Sequence, residues 1–167
     1  MKMKTTITLA LIGALVLVTG GLIFFLNSNT TASGITVGDN AVNIKFTAVD
    51  GSTFNLGEQK GKVVVVDFIT TTCSVCVDEF KVLKQLKSDS RITLVSVNLD
   101  STDLADLQQF ATYYGLNWVV GSSQQSGVDY KVSGVPTLLV IDKGGVIRYR
   151  GYYTDLKQLD QVISQYA

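Results

Sequence analysis

The run Val63-Val64-Val65-Val66-Asp67-Phe68-Ile69, then Thr70-Thr71-Thr72 and Cys73-Ser74-Val75-Cys76, decides the fold. Apart from Asp67, its first seven residues are apolar, without alternation. A strand with one wet face alternates polar and apolar residues, so an unbroken run predicts a strand covered on both faces. After it the period changes. Cys76, Phe80, Leu83 and Leu86 recur at helical spacing with Lys and Glu between them, which predicts a helix over 76–87. The two cysteines therefore stand at a strand-to-helix junction.

Outward from that junction, strands and helices alternate. Upstream, 43–49 alternates in polarity, Asp50-Gly51 follows, and 52–56 returns, which reads as a β-hairpin. Downstream, 92–97 is a second buried strand. Leu104, Leu107, Ala111 and Tyr114 mark a helix, with Asp100 or Ser101 as its cap and Gly115 as its stop. Trp118-Val119-Val120 reads as a short strand and 126–132 as a brief helix. Thr137–Ile141 and 146–150 are strands about the turn Asp142-Lys143-Gly144-Gly145. Leu156, Leu159, Ile163 and Tyr166 form a final amphipathic helix capped by Thr154. The pattern is that of an α/β layer fold. There is no internal repeat and no low-complexity segment.

The N-terminal part is an address. Lys2 and Lys4 precede residues 5–26, which carry no charge and, as a helix, would be roughly 33 Å long, close to the hydrocarbon core of a bilayer. A cleavable signal peptide has a shorter apolar core, and the nearest small-residue site here, Thr30-Thr31-Ala32, matches poorly. The expected organisation is a transmembrane signal-anchor over 1–26, a polar tether over 27–34 and one domain over 35–167, with a cleaved signal as the alternative. No basic residue follows the apolar run until Lys45, so the N-terminus is expected in the cytoplasm and the domain outside it.

Composition narrows the chemistry. The 167 residues include 14 Lys+Arg and 14 Asp+Glu, so no basic excess points to nucleic acid. There is no His, which removes Ser–His and Cys–His nucleophiles and His-ligated metals. Both cysteines lie in one CxxC motif. Two intervening residues in a first helical turn allow the sulfurs to bond. The helix N-terminus favours the thiolate, the reactive form, at Cys73. Cys73 is thus expected to be exposed and attacking, and Cys76 buried and resolving. Inert core cysteines are the bland alternative. Half a zinc site is the other, but the chain offers no further Cys or His to complete it. Asp67, alone in an apolar strand, is expected to be desolvated, with its pKa raised, and suited to moving a proton. Its bland reading is a solvated strand-end Asp.

These residues resemble the thioredoxin-like family, and more closely its membrane-anchored TlpA/ResA branch of thiol-disulfide oxidoreductases. The match covers nearly all of 44–153: the hairpin, the strand into Cys73-Ser74-Val75-Cys76, Tyr114-Gly115-Leu116-Asn117-Trp118, and Gly134-Val135-Pro136-Thr137 with the strand after it. The resemblance implies a central mixed β-sheet flanked by helices, an N-terminal β-hairpin extension and one preceding transmembrane helix. It implies a cis Val135–Pro136 peptide facing the CxxC, where the bottom-up alternative is an ordinary strand-opening Pro. It also places Asp67 at the family's buried acid. Thr72, Ser74, Val75, Val135 and Pro136 then face the substrate. The family usually has Trp where Thr72 stands, and often Pro or a charged residue between the cysteines, where this chain has Ser74-Val75. Ser74-Val75 tunes the thiol pKa and the potential.

Two other functions compete. A peroxiredoxin-like peroxidase would use Thr70 three before Cys73, but wants Pro where Val66 stands. A Cu(I) metallochaperone would use the two thiolates alone. A vestigial binding module is contradicted by the CxxC, Asp67 and Pro136 together. The reading that absorbs most of the sequence is an extracytoplasmic thiol-disulfide oxidoreductase, leaning towards a reductant. It needs no cofactor beyond a redox-active Cys73–Cys76 disulfide. Its partners are thiol or disulfide proteins, a membrane electron donor, and the membrane through residues 5–26.

Overall fold

A computed structural model describes residues 33–167. The expected membrane helix and residues 27–32 of the tether lie outside the described residues. Among the described residues no helix is long and apolar enough to cross a membrane.

The elements are β1 (Ser33–Gly34), β2 (Asn40–Ala41), β3 (Lys45–Thr47), β4 (Thr53–Asn55), β5 (Val63–Ile69), α1 (Cys76–Leu86), β6 (Ile92–Asn98), α2 (Leu104–Tyr114), β7 (Val119–Ser122), α3 (Gln124–Asp129), β8 (Thr137–Ile141), β9 (Ile147–Gly151) and α4 (Leu156–Tyr166). The main sheet runs β7-β6-β5-β8-β9. β5 pairs parallel with β6, and β6 with β7, each across a helix, while β8 and β9 are antiparallel. The fold is thus a thioredoxin-like α/β fold with a mixed central sheet, and β3–β4 is the expected hairpin extension.

β5 lies at the centre, and every one of its residues is buried. That explains its unbroken apolar run. On one face, Val64, Val66 and Phe68 pack with Ile44, Phe46 and Phe54 of the hairpin region and with Tyr130. On the other, Val63 and Val65 pack with Val82, Leu83 and Leu86 of α1 and Leu159 and Ile163 of α4. Further along that second face, Ile69 joins Cys76, Phe80, Leu107 and Ala111. Each fully buried Val, Leu, Ile or Phe contributes about 1.5–3 kcal/mol relative to exposure. Burying the β5 face under α1 and α4 is therefore what seats the cysteine-bearing helix.

Local details depart from the sequence expectations. Asp103 caps α2, accepting from the Asp106 N–H at 2.8 Å, in place of Asp100 or Ser101. Asp155 caps α4, accepting from the Gln158 N–H at 2.9 Å, in place of Thr154, which is buried. The short strand runs Val119–Ser122 and the brief helix Gln124–Asp129. Ser33–Gly34, counted as tether, pairs in parallel with Asn40–Ala41. Gly115 ends α2 in the left-handed region at φ 63°, as a stop residue must. Gly121 lets the hairpin seat on β7, because a Cβ there would strike the Phe46 ring.

Candidate active site

The loop between β5 and α1 carries the cysteines. Cys73 and Cys76 are joined, S–S 2.05 Å, with Cα atoms 5.4 Å apart. Cys76 is the first residue of α1 and has no exposed surface, whereas Cys73 is partly exposed. α1 has no side-chain N-cap. The Cys73 sulfur stands in that place, accepting from the Cys76 N–H at 3.1 Å. A helix N-terminus leaves N–H groups unpaired and carries partial positive charge, so a thiolate at this position is stabilised.

Val135–Pro136 is a cis peptide. Val135 packs in the same cluster as Cys73 and Cys76. Pro136 is buried, while Thr72, Ser74 and Val75 are exposed. Val75, Val135 and Pro136 line one open groove of about 460 Å³ with Asp78, Tyr152 and Tyr153. Val75, Tyr152 and Tyr153 are 57%, 61% and 56% exposed, an apolar surface beside the sulfurs that water alone does not favour. Of the sequence-chosen residues, Val75, Val135 and Pro136 thus share this groove. The structure gives no contact linking Thr72 or Ser74 to it.

Asp67 is fully buried on the β5 face beneath α1, not at a solvated strand end. Burial pushes its carboxyl up to about 8, the neighbouring Glu79 charge adds to this, and the Ser96 hydroxyl pulls it back. Ser96 donates to Oδ2 at 3.0 Å, and Oδ1 has no partner.

Glu79 was absent from the sequence reading. It too has no exposed surface. Burial raises its pKa, opposed by the Thr154 backbone N–H, which donates to Oε2 at 3.1 Å. Its Oε1 has no partner. A signal existed: three residues after Cys76, position 79 falls on the buried stripe of 76, 80 and 83. By type alone it falls among the Lys and Glu between the apolar positions.

Asp100 is the other organising residue. Its Oδ2 accepts from the Thr71 N–H and hydroxyl, each at 2.8 Å, and its Oδ1 accepts from Asn98 Nδ2 at 2.7 Å and from the Thr102 N–H and hydroxyl. Desolvation pushes its carboxyl up, but the Thr102, Asn98 and Thr71 donors outweigh that and hold it well below the usual range. This pins the threonine loop leading into Cys73.

The chain is similar to known proteins. The redoxin family matches residues 36–163. The thiol-disulfide oxidoreductase ResA of Geobacillus kaustophilus is 27% identical over 151 residues, 87% of this chain and 83% of that protein. The thioredoxin-like protein YneN of Bacillus subtilis is 28% identical over 120 residues, 69% of this chain and 71% of that protein. The thioredoxin domain of a thiol-disulfide oxidoreductase from Bacteroides vulgatus superposes with TM-score 0.68 at 24% identity, over 78% of this chain and 99% of that one, a likeness of fold. With a closed CxxC disulfide at a strand-to-helix junction of that fold, the chain belongs to the redoxin family as a thioredoxin-like thiol-disulfide oxidoreductase of the TlpA/ResA type.

Proposed function

We propose that this protein is tethered to the membrane through residues 5–26 and exchanges disulfides, outside the cytoplasm, with cysteines of exported or membrane proteins. We assign it the reducing direction, as in the maturation of cytochrome c or copper sites, with a membrane electron donor restoring the dithiol. The uncharged 22-residue run after Lys2 and Lys4 supports the tether. The TlpA/ResA likeness supports the direction. The observation that carries the exchange chemistry is the asymmetry of the pair: one partly exposed sulfur at the start of α1 bonded to one sealed sulfur.

The chemistry follows from that asymmetry. In the dithiol form the Cys73 thiolate attacks a client disulfide. A Cys73–client bond forms, the client S–S bond breaks, and the departing client sulfur takes up a proton. Cys76 then loses its proton to the Asp67 carboxylate and attacks the Cys73 sulfur. The second client sulfur leaves and is protonated. Two electrons and two protons have passed to the client, and Cys73–Cys76 is the disulfide. An Asp67 titrating at about 8 lies close to an ordinary thiol near ~8.5, so the proton can pass either way. The groove of Val75, Val135, Pro136, Tyr152 and Tyr153 would hold the client segment around its cysteine. Direct Cu(I) carriage fits less well, because Cys76 presents no surface to an incoming ion.

Trapping tests this. Cys76→Ser should accumulate reductant-sensitive adducts of Cys73 with client proteins in native membranes, and Cys73→Ser should accumulate none. Adducts absent from the Cys76→Ser membranes would overturn the exchange function. Equilibration of the chain with glutathione then gives the direction.

A further inference from the structure

The half-buried Trp118 lies between the two side-chain clusters under α1, and it is the only tryptophan of the chain. Its indole Nε1 is 2.9 Å from Ser96 Oγ, and Ser96 Oγ is 3.0 Å from Asp67 Oδ2. Ser96 has no exposed surface. An indole N–H can only donate, so it occupies the acceptor side of the Ser96 oxygen and leaves the Ser96 hydrogen for Asp67. Donation into an oxygen also strengthens that oxygen's own O–H as a donor. With Oδ2 engaged as an acceptor, the acidic proton of Asp67 belongs on Oδ1, the atom without a partner.

We propose that Trp118 is a positioning residue for Asp67: through Ser96 it holds Oδ2 as a hydrogen-bond acceptor and leaves Oδ1 as the atom that takes and gives the proton. This rests on the reading of Asp67 as the proton-handling group. The surroundings leave few competitors. α1 contributes Glu79 and, once reduced, the Cys76 thiol. β6 contributes Ser96, and β8 and α4 contribute Leu138, Leu159 and Ile163, none of which ionises.

The consequence has a sign. Removing the indole N–H leaves the buried Ser96 oxygen without a donor. A neutral Asp67 protonated on Oδ2 can then donate to it, so the neutral form gains and the carboxyl titrates at higher pH. One hydrogen bond's net worth corresponds to a shift of about half to one pH unit.

The test follows the Asp67 carboxyl by 13C NMR in the oxidised full-length chain, where no thiol titrates. Trp118→Phe, which keeps a packing ring, should raise the Asp67 midpoint by about half to one pH unit. In a Ser96→Ala background the same change should add nothing. In the native chain, the single indole N–H resonance should move with the Asp67 midpoint, and Asp67→Asn should abolish that movement. An unmoved Asp67 midpoint in Trp118→Phe, an equal shift without Ser96, or an indole resonance blind to Asp67 would each overturn the proposal. The proton role of Asp67 is decided separately: it fails if Asp67→Asn leaves the pH profile of disulfide exchange unchanged, whatever the carboxyl titration shows.

Discussion

The two faces of β5 are equally sealed and chemically opposite. Val64, Val66 and Phe68 meet apolar side chains, among them Ile44, Phe46 and Phe54, and the ring of Tyr130, whose hydroxyl donates to the Val42 carbonyl. Val63, Val65, Asp67 and Ile69 lie under α1, and there a carboxyl sits at the same zero exposure as its neighbours. Burial alone does not separate a core from a site. What separates them is whether each buried polar atom has been given a partner. On the α1 side Asp67 Oδ1 and Glu79 Oε1 have not, and burial raises the pKa of both carboxyls.

The sharpest way to separate the faces is through pH. Asp67 titrates at about 8 in the folded chain and near ~3.9 when unfolded. Between those values the folded state holds a proton that the unfolded state has lost. Stability from this group is therefore full at acid pH and falls as pH rises towards 8, by ~5 kcal/mol in all. Asp67→Asn should flatten that slope. Denaturant titrations of the oxidised chain at pH 4.5 and 8 measure it, and an unchanged slope would make the two faces electrostatically alike.

Phe68→Ala probes the opposite face. Phe68 is fully buried and lies 5.4 Å, ring to ring, from Tyr130. Removing the ring leaves a cavity under the hairpin and should cost about 3–5 kcal/mol. The loss should be equal at both pH values, because the titratable group on that side, the Tyr130 phenol, is pushed up by burial and stays neutral at both. A pH-dependent loss would show that the faces communicate.

The apolar face was legible from sequence, and the α1 face only partly. An unbroken Val run permits only a doubly covered strand, and the spacing after Cys76 permits only a helix packed on it. The resemblance supplied the cis Val135–Pro136 bond, while Asp67 stood out both by its place in an apolar strand and by the resemblance. Glu79 escaped because charge was taken to mean solvent, although its position on the buried stripe said otherwise. Ser96 and Trp118 escaped because the Ser96–Asp67 and Trp118–Ser96 bonds join residues far apart in the chain. The caps were misplaced by one to three residues for a tertiary reason. Asp100 is held by Thr71, and Thr154 by Glu79, so neighbouring Asp103 and Asp155 take the capping role.

Asp100 supplies a counterexample with the opposite sign. It stands beyond the strand's end, where the chain leaves both faces, and accepts five hydrogen bonds from Thr71, Asn98 and Thr102. Its folded pKa is lowered, so its contribution is present above the unfolded value near ~3.9 and is lost as pH falls below it. Asp100→Asn replaces one accepting oxygen with an amide that cannot accept, which should cost about 2 kcal/mol at neutral pH and less at pH 3. The same denaturant titrations read both windows: acid weakens the Asp100 clamp, and base weakens the Asp67 site.

Glu79→Gln makes the smallest change and asks the finest question. The amide keeps the side chain's volume and an oxygen for the Thr154 N–H, so the packing under α1 is conserved. Only the charge goes. Because the Glu79 charge disfavours the Asp67 carboxylate, its removal should lower the Asp67 midpoint by about one pH unit, read by 13C NMR of the carboxyl. A lowered midpoint would mean that the α1 face holds two coupled acids, whose protons belong to the pair rather than to either residue. A midpoint left where it stands in the native chain would mean that desolvation alone raises Asp67. The α1 face would then differ from its apolar counterpart by two buried acids that titrate independently, with Glu79 serving to tie Thr154 to α1.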